Sequence, residues 1–270
     1  MAIADALTGF ETLVVDEPAA DVLTVTMTRP AARNAMNTQM MSELRDCFSH
    51  FYVGPDHARC LILTGAGDRA FCAGADLKER DGMDDADWRR QHAIIEQAIR
   101  AMMVCPVPVI AAVNGAAFAG GCELALAADF IYAVETARFA QTEVALGIIP
   151  GAMGTQNLSR ATSLRRAKEV ILTGTPFDAR EASEWGLVNA LFPSVEALRD
   201  GATETARRIS DNAPIAVRQA KAAIDKSADL DRANGYAYEI EAYNRTVGTE
   251  DRQEGIRAFN DKRAPQFRGR

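Results

Sequence analysis

The chain has 270 residues, 48% of them hydrophobic and 25% charged, with a formal net charge of −7. That length suits one large domain or a domain with a helical extension. The acidic balance makes the chain as a whole a poor match for nucleic acid or an anionic membrane. No apolar run is long enough to span a bilayer: the longest carries Glu123, and the next is broken by Pro106 and Pro108.

The opening residues, MAIADALTGFE, lack both the basic-then-apolar pattern of a secretory signal and the arginine-rich look of a transit peptide. Residues 11–16 and 21–28 alternate enough to pair as strands. A helix starts at an N-cap on Asn37 or Thr38, with Met41, Leu44, Phe48 and Phe51 as its apolar stripe. A buried strand follows at 60–64, then a glycine-rich loop from Gly65 to Gly74. A long helix over 87–104 carries Trp88, Ile95, Ile99 and Met102 on one face. A second buried strand, 109–113, ends at Asn114-Gly115. Gly120 and Gly121 open a further helix, and a strand follows at 130–133.

Strand and helix therefore alternate, which predicts an α/β core with substantially parallel strands. Beyond about residue 155 the pattern is nearly all helical. Helices are predicted at 163–173, 178–185, 194–210, 213–226, 229–247 and 250–259, with one short apolar segment at 187–191. Pro214 sits at a helix start, where a missing N–H costs little. A helical tail that cannot bury all its faces alone predicts oligomer contacts.

The five cysteines are odd in number, scattered and set in apolar surroundings, which reads as reduced cytosolic thiols. With the N-terminal composition this predicts a cytoplasmic protein. No CxxC or HExxH occurs, and His50, His57 and His92 have no metal-ligand spacing, so no metal site is expected. Positive charge gathers late, at Arg252, Arg257, Lys262, Arg263, Arg268 and Arg270. That cluster suits either a phosphorylated small molecule or a solvated tail.

The most informative residue is Glu123, the only charge in AAFAGGCELALAA (116–128). Burying a carboxylate costs several kcal/mol, roughly, unless it is partnered. Gly120 and Gly121 place Glu123 in the first helical turn, beside free backbone donors. Two turns of small residues, Cys72–Lys78 and Phe118–Glu123, could each bring an N–H close to a ligand, and two such donors on one oxygen form an oxyanion hole. Either turn alone fits a plain loop-to-helix junction better than a site. Glu143, in FAQTEVALG, is a second carboxyl among small and apolar residues. Two such carboxyls can hold different protonation states, though Glu143 also fits an ordinary helix-start acid. Rival sites are poorer. Gly65-Ala-Gly67-Asp-Arg-Ala70 imitates the opening of a dinucleotide fingerprint but precedes FCAGA rather than a helix. GxSxG and GxxxxGK[ST] are absent.

RPAARNAMN (29–37), AFCAGADLKER (70–80), PVPVIAAVNGAAFAGGCELALAADF (106–130) and ARFAQTEVALGIIPGAMGTQ (137–156) together resemble the crotonase, or enoyl-CoA hydratase/isomerase, superfamily. The likeness continues through 172–189 to 251–267, so it covers almost the whole chain. ADLKERDGM and the C-terminal stretch look closest to its methylglutaconyl-CoA hydratase branch. One member of that branch binds RNA, which the acidic balance argues against here.

The resemblance implies a spiral of ββα units over 1–195 and a C-terminal helical trimerisation region over 196–270. It implies a trimer or a dimer of trimers. The ligand would be an acyl-CoA thioester, with coenzyme A entering only as part of the substrate and no metal or redox cofactor. The two oxyanion amides fall on Ala75 and Gly120, and the catalytic carboxyls on Glu123 and Glu143. Ala73, Gly74, Asp76, Leu77, Lys78 and Gly151 would line the acyl-CoA path. Arg33 lies near the nucleotide end, and Phe259 and Lys262 match positions that reach the CoA adenine and phosphate, often of a neighbouring subunit.

Both glutamates together suit syn addition of water to a short or branched 2-enoyl-CoA. An enoyl-CoA isomerase of the same fold and a non-catalytic CoA- or RNA-binding scaffold are the alternatives. Two departures stand out. Ala119 replaces the first glycine of the usual triplet, which a negative φ would accommodate. Met153 replaces a glycine in PGAMG and could narrow the acyl pocket or pack in the core. Met83, Trp88 and His92 could contact the acyl group, but their helical spacing fits core packing better.

Overall fold

A computed structural model describes residues 7–55 and 57–270. The first six residues, on which part of the N-terminal reading rests, lie outside it. β1 (Leu13–Ala19) and β2 (Val22–Met27) form an antiparallel hairpin. α1 (Thr38–Val53) follows, and the Asn37 side chain accepts from the Met40 amide to cap it. Its stripe Met41, Leu44, Phe48 and Phe51 is buried as expected.

The next six strands pair off to open three ββα units. β3 (Cys60–Gly65) and β4 (Ala70–Cys72) lead to α2 (Leu77–Arg80) and α3 (Asp85–Met103). β5 (Val109–Val113) and β6 (Ala116–Phe118) lead to α4 (Gly120–Leu126). β7 (Phe130–Val134) and β8 (Arg138–Ala140) lead through a 3-10 turn at Glu143–Leu146 to α5 (Gly154–Ala161) and α6 (Leu164–Thr173). β9 (Phe177–Asp178), α7 (Ala179–Glu184) and β10 (Ala190–Phe192) close the core. Then come α8 (Val195–Ser210), α9 (Pro214–Ser227), α10 (Arg232–Val247) and α11 (Glu250–Asn260).

The first strand of each unit joins a six-stranded sheet of order β1-β2-β3-β5-β7-β10, parallel beyond the hairpin. The second joins a four-stranded sheet of order β4-β6-β8-β9. The chain thus winds from one sheet to the other, a mixed α/β spiral. β3 and β5 are buried along their whole length, and parallel strands covered on both faces need such unbroken apolar runs.

Four short strands go beyond the sequence reading: β4, β6, β8 and β9. With two or three residues each they show no period to detect. α5 was also not foreseen. Its N-cap residue is Met153 in the left-handed region, with no side-chain cap. Within Gly65–Ala70 no helix opens. The chain passes from β3 into β4, and a Cβ on Gly65 would lie 2.5 Å from the Phe71 carbonyl. That glycine serves backbone packing, not a dinucleotide.

α8 packs across the six-stranded sheet from β1 to β10. It buries Leu198, Ala202 and Ala206 on one stripe, where the two alanines let helix and sheet approach. The helices that stand off the sheet therefore begin at Pro214. α9 and α10 pack on each other, while Ile224, Tyr236, Ile240 and Tyr243 stay exposed in the single chain. All five cysteines are buried and unpaired, and burial pushes the Cys72 and Cys122 thiols up to about 12. Among the described residues no helix is long and apolar enough to cross a membrane, and no cluster of His, Cys, Asp and Glu is placed to hold a metal.

Candidate active site

A cavity of about 640 Å³ opens between the turn after β4, the N-terminus of α4, α3 and the loop over 142–152. Both glutamates, Ala75 and Gly120 are in its wall. The two turns meet backbone to backbone because their residues are small. A Cβ on Gly74, at φ +93°, would lie 2.9 Å from the Phe118 carbonyl and 3.3 Å from the Gly120 amide. A Cβ on Gly121 would collide with the Cys72 carbonyl.

Three amides close to the two cavity amides are committed elsewhere. Ala73 N–H donates to the Arg33 carbonyl at 3.1 Å, and Asp76 N–H to the Met36 carbonyl at 2.9 Å. Ala119 N–H donates to the Ala140 carbonyl at 2.8 Å. The Ala75 and Gly120 amides donate to no acceptor among the described residues. At Gly120 this follows from its place as the first residue of α4, since the first-turn N–H groups have no partner within the helix.

Ala119 does not have the negative φ that would accommodate it without strain. It sits at φ +49° and ψ −125°, a conformation that normally belongs to glycine. The chain must reverse there to carry β6 into α4 and aim the Gly120 amide at the cavity. Met153 is likewise left-handed, at φ +72°, and more exposed than a core residue.

The two carboxyls have different settings. Glu123, 3% exposed, points its Oε1 at the loop before α5, where the Ala152 and Gly154 amides donate to it at 2.7 and 2.8 Å. Burial raises its pKa while those two amides hold the rise back. Gly154 must lack a side chain, because a Cβ would lie 2.8 Å from Glu123 Oε1. Glu143, 5% exposed, begins the 3-10 turn, and neither of its oxygens has a hydrogen-bond partner. Burial pushes its pKa up to about 7, and the Glu123 charge adds to the rise.

The rest of the expected set divides in two. Ala73, Leu77 and Gly151 join the cavity wall. Asp76 caps α2 through the Lys78 amide and pairs with Arg29 at 2.9 Å, so its carboxylate is used within the fold. Arg33 and Lys78 are exposed and outside the wall. So are Phe259, 83% exposed at the end of α11, and Lys262 just beyond it. The helical spacing of Trp88 fits core packing better than contact with an acyl group, yet its side chain is half-buried in the cavity wall with the Arg80 guanidinium 4.2 Å above its ring. His92, one turn on, also lines the cavity and packs against Gly151. Arg80 and Met36 were missed as wall residues. Arg80 is 7% exposed, held by Gln91 at 2.7 Å, and nothing in its sequence setting marks a charged side chain as buried.

A spiral of ββα units whose turns gather unpaired amides and buried carboxyls around one cavity defines the crotonase class of fold. The chain belongs to the enoyl-CoA hydratase/isomerase family, whose sequence profile matches residues 17–270. It is 44% identical to YngF of Bacillus subtilis over 245 residues, 91% of this chain and 94% of that one. It is 39% identical to the short-chain-enoyl-CoA hydratase of Clostridium acetobutylicum over 250 residues, 93% and 95% of the two chains. The crystal structure of an enoyl-CoA hydratase from Bacillus anthracis superposes with a TM-score of 0.94 at 42% identity, covering 96% of this chain and all of that one.

Proposed function

We propose that this protein is an enoyl-CoA hydratase that adds water, syn, across the 2,3-double bond of a short or branched 2-enoyl-CoA. One observation carries the reading: a single cavity holds two unpaired amides, Ala75 and Gly120, and two carboxyls of unlike environment. The amides receive the thioester oxygen. Glu123, fixed through one oxygen by two N–H donors, takes a proton from water with the other as the water oxygen bonds to Cβ. The π electrons move toward the thioester oxygen as an enolate, where the amides stabilise the growing charge. Glu143, with a pKa near 7, gives its proton to Cα as the enolate collapses.

In this reading coenzyme A is the substrate's carrier, and no metal or redox group takes part. Arg33 meets its nucleotide end. Phe259 and Lys262, which stand outside the wall of their own chain's cavity, serve a neighbouring copy in a trimer or a dimer of trimers. The name of the Clostridium relative supports a short acyl chain. The same geometry admits movement of a double bond instead of hydration.

The test follows loss of enoyl-thioester absorbance with crotonyl-CoA. Glu123→Gln and Glu143→Gln should each lower the rate by about 10²–10⁴-fold. Full activity in either variant removes that residue's role, and turnover of a 3-enoyl-CoA to its 2-enoyl isomer without hydration would select the isomerase.

A further inference from the structure

We infer that Arg29 is a positioning residue for the Ala75 amide, acting through the loop over 29–36. The inference rests on the hydratase reading of the cavity. Three backbone groups around Ala75 are tied to that loop: Ala73 N–H to the Arg33 carbonyl, the Gly74 carbonyl to Met36 N–H at 2.8 Å, and Asp76 N–H to the Met36 carbonyl. Met36 and Ala75 form an isolated parallel bridge. In such a bridge the two bonds to Met36 flank Ala75, so the Ala75 N–H is left facing away from the loop. The freedom of that amide is therefore a product of the pairing.

The loop is unusual enough to need bracing. Arg33 and Asn34 are both left-handed, at φ +53° each. Asn34 is fully buried. Its oxygen accepts from the Arg29 amide at 3.1 Å, and its nitrogen donates to the Ala66 and Ala70 carbonyls at 3.1 and 2.9 Å. The Arg29 guanidinium completes the frame. It donates to the Ala35 carbonyl at 2.5 Å and to Asp76 Oδ2 at 2.9 Å, clasping the residue before Met36 to the residue after Ala75. Both side chains of that ion pair are largely buried, at 24% and 12% exposure, so it is not a loose surface contact. Met36 carries the brace to the second amide, because its Cε fills the space a side chain on Gly120 would need. Arg29 itself is not in the cavity wall.

An oxyanion donor works only within a few tenths of an ångström of its best position, and a misplacement of about 1 Å can cost about 10²-fold in rate. Arg29→Met should therefore lower kcat on crotonyl-CoA by about 10- to 100-fold while KM stays within about threefold. Arg29→Lys, which retains the charge but not the fork, should recover part of the loss. Asp76→Asn, which keeps an acceptor for the Lys78 amide, should follow Arg29→Met in direction.

The decisive readout is spectroscopic. In a Glu123→Gln background, which blocks hydration, bound 2,4-hexadienoyl-CoA should absorb at longer wavelength than free thioester, because amides on its carbonyl polarise the conjugated chain. Adding Arg29→Met should reduce that shift. An undiminished shift, or an unchanged kcat, overturns the role of Arg29. Equal loss in Arg29→Met and Arg29→Lys with the shift intact assigns Arg29 to folding alone and overturns it too. Absence of turnover in the unsubstituted protein defeats the hydratase reading instead, and the dienoyl shift still reports on the amides.

Discussion

Replacing Ala119 by glycine should stabilise this protein, although it removes a methyl group from a half-buried position. The reason is the backbone: φ +49° with ψ −125° forces the alanine Cβ against its own peptide groups. Holding a non-glycine residue in so sparsely populated a region costs about 1–3 kcal/mol. Two effects oppose the gain. A new glycine widens the unfolded ensemble by about 0.4–1 kcal/mol. The methyl group has only modest burial to lose, less than the roughly 0.8 kcal/mol of a fully buried CH₂. The balance is a stabilisation of about 1 kcal/mol, or roughly 2–4 °C in Tm for a chain of this size.

Urea unfolding followed by circular dichroism would read this as a higher midpoint at unchanged slope. Ala119→Val is the opposing arm. A β-branched side chain in the same conformation should lower the midpoint, and the Gly120 amide should lose position with it. If glycine lowers the midpoint by more than about 0.5 kcal/mol equivalent, or valine is as stable as alanine, then the turn is not strained and the reasoning fails.

The pKa of Glu143 near 7 has a consequence for stability as well as rate. A carboxyl raised above its ordinary 4.5 binds more protons folded than unfolded, so the penalty for burying its charge is absent below 4.5 and grows as pH rises through 7. Glu143→Gln should thus melt higher than the parent in alkaline buffer, with the gap closing toward pH 4.5, while hydration by the parent falls as pH rises through about 7; a gap independent of pH would contradict the assignment. Gly154→Ala puts a methyl 2.8 Å from both Glu123 Oε1 and the buried Gln141 Oε1 and should lower kcat by about 100-fold while costing about 1–3 kcal/mol of stability, read by steady-state rates and denaturant titration. Gly121→Ala drives a methyl into the Cys72 carbonyl and should cost about 1–3 kcal/mol of stability or more, measured by denaturant titration.

What could be read from the sequence follows burial and length. β3 and β5 stood out because a parallel strand covered on both faces must be apolar throughout. Glu123 stood out because a lone charge in such surroundings demands a reason. The second sheet did not, since strands such as Ala70–Cys72 and Phe177–Asp178 are shorter than any period that could mark them. Trp88 was misassigned for a different reason. Helical spacing shows which face of α3 turns inward, and a cavity wall and a packed core lie on the same inward face. Ala119 was illegible in principle, because alanine's own preference argues against the conformation that the turn imposes. The bracing role of the 29–36 segment is equally hidden: its hydrogen bonds cross about forty residues of chain.

The unlike state of the two carboxyls comes down to where helices begin. Gly154 is the first residue of α5 and Ala152 precedes it, so neither amide has a partner within the helix. The left-handed turn at Met153 swings both toward Glu123, where one oxygen satisfies both donors. That carboxyl is anchored through one oxygen, and the two donors hold back the rise in pKa that burial brings. Glu143 also begins a helical turn, yet the turn is a single 3-10 turn, and only its own amide, which makes no well-formed hydrogen bond, lies close enough to favour the charged form. With burial only weakly relieved by that amide, its proton is retained to higher pH. The same residue type thus stands in two unlike settings because the loop before α5 supplies two amides and the turn at Glu143 supplies no neighbouring one. Exchanging the two environments would exchange the roles. Opening the 150–154 loop should therefore damage catalysis through Glu123 before it alters Glu143.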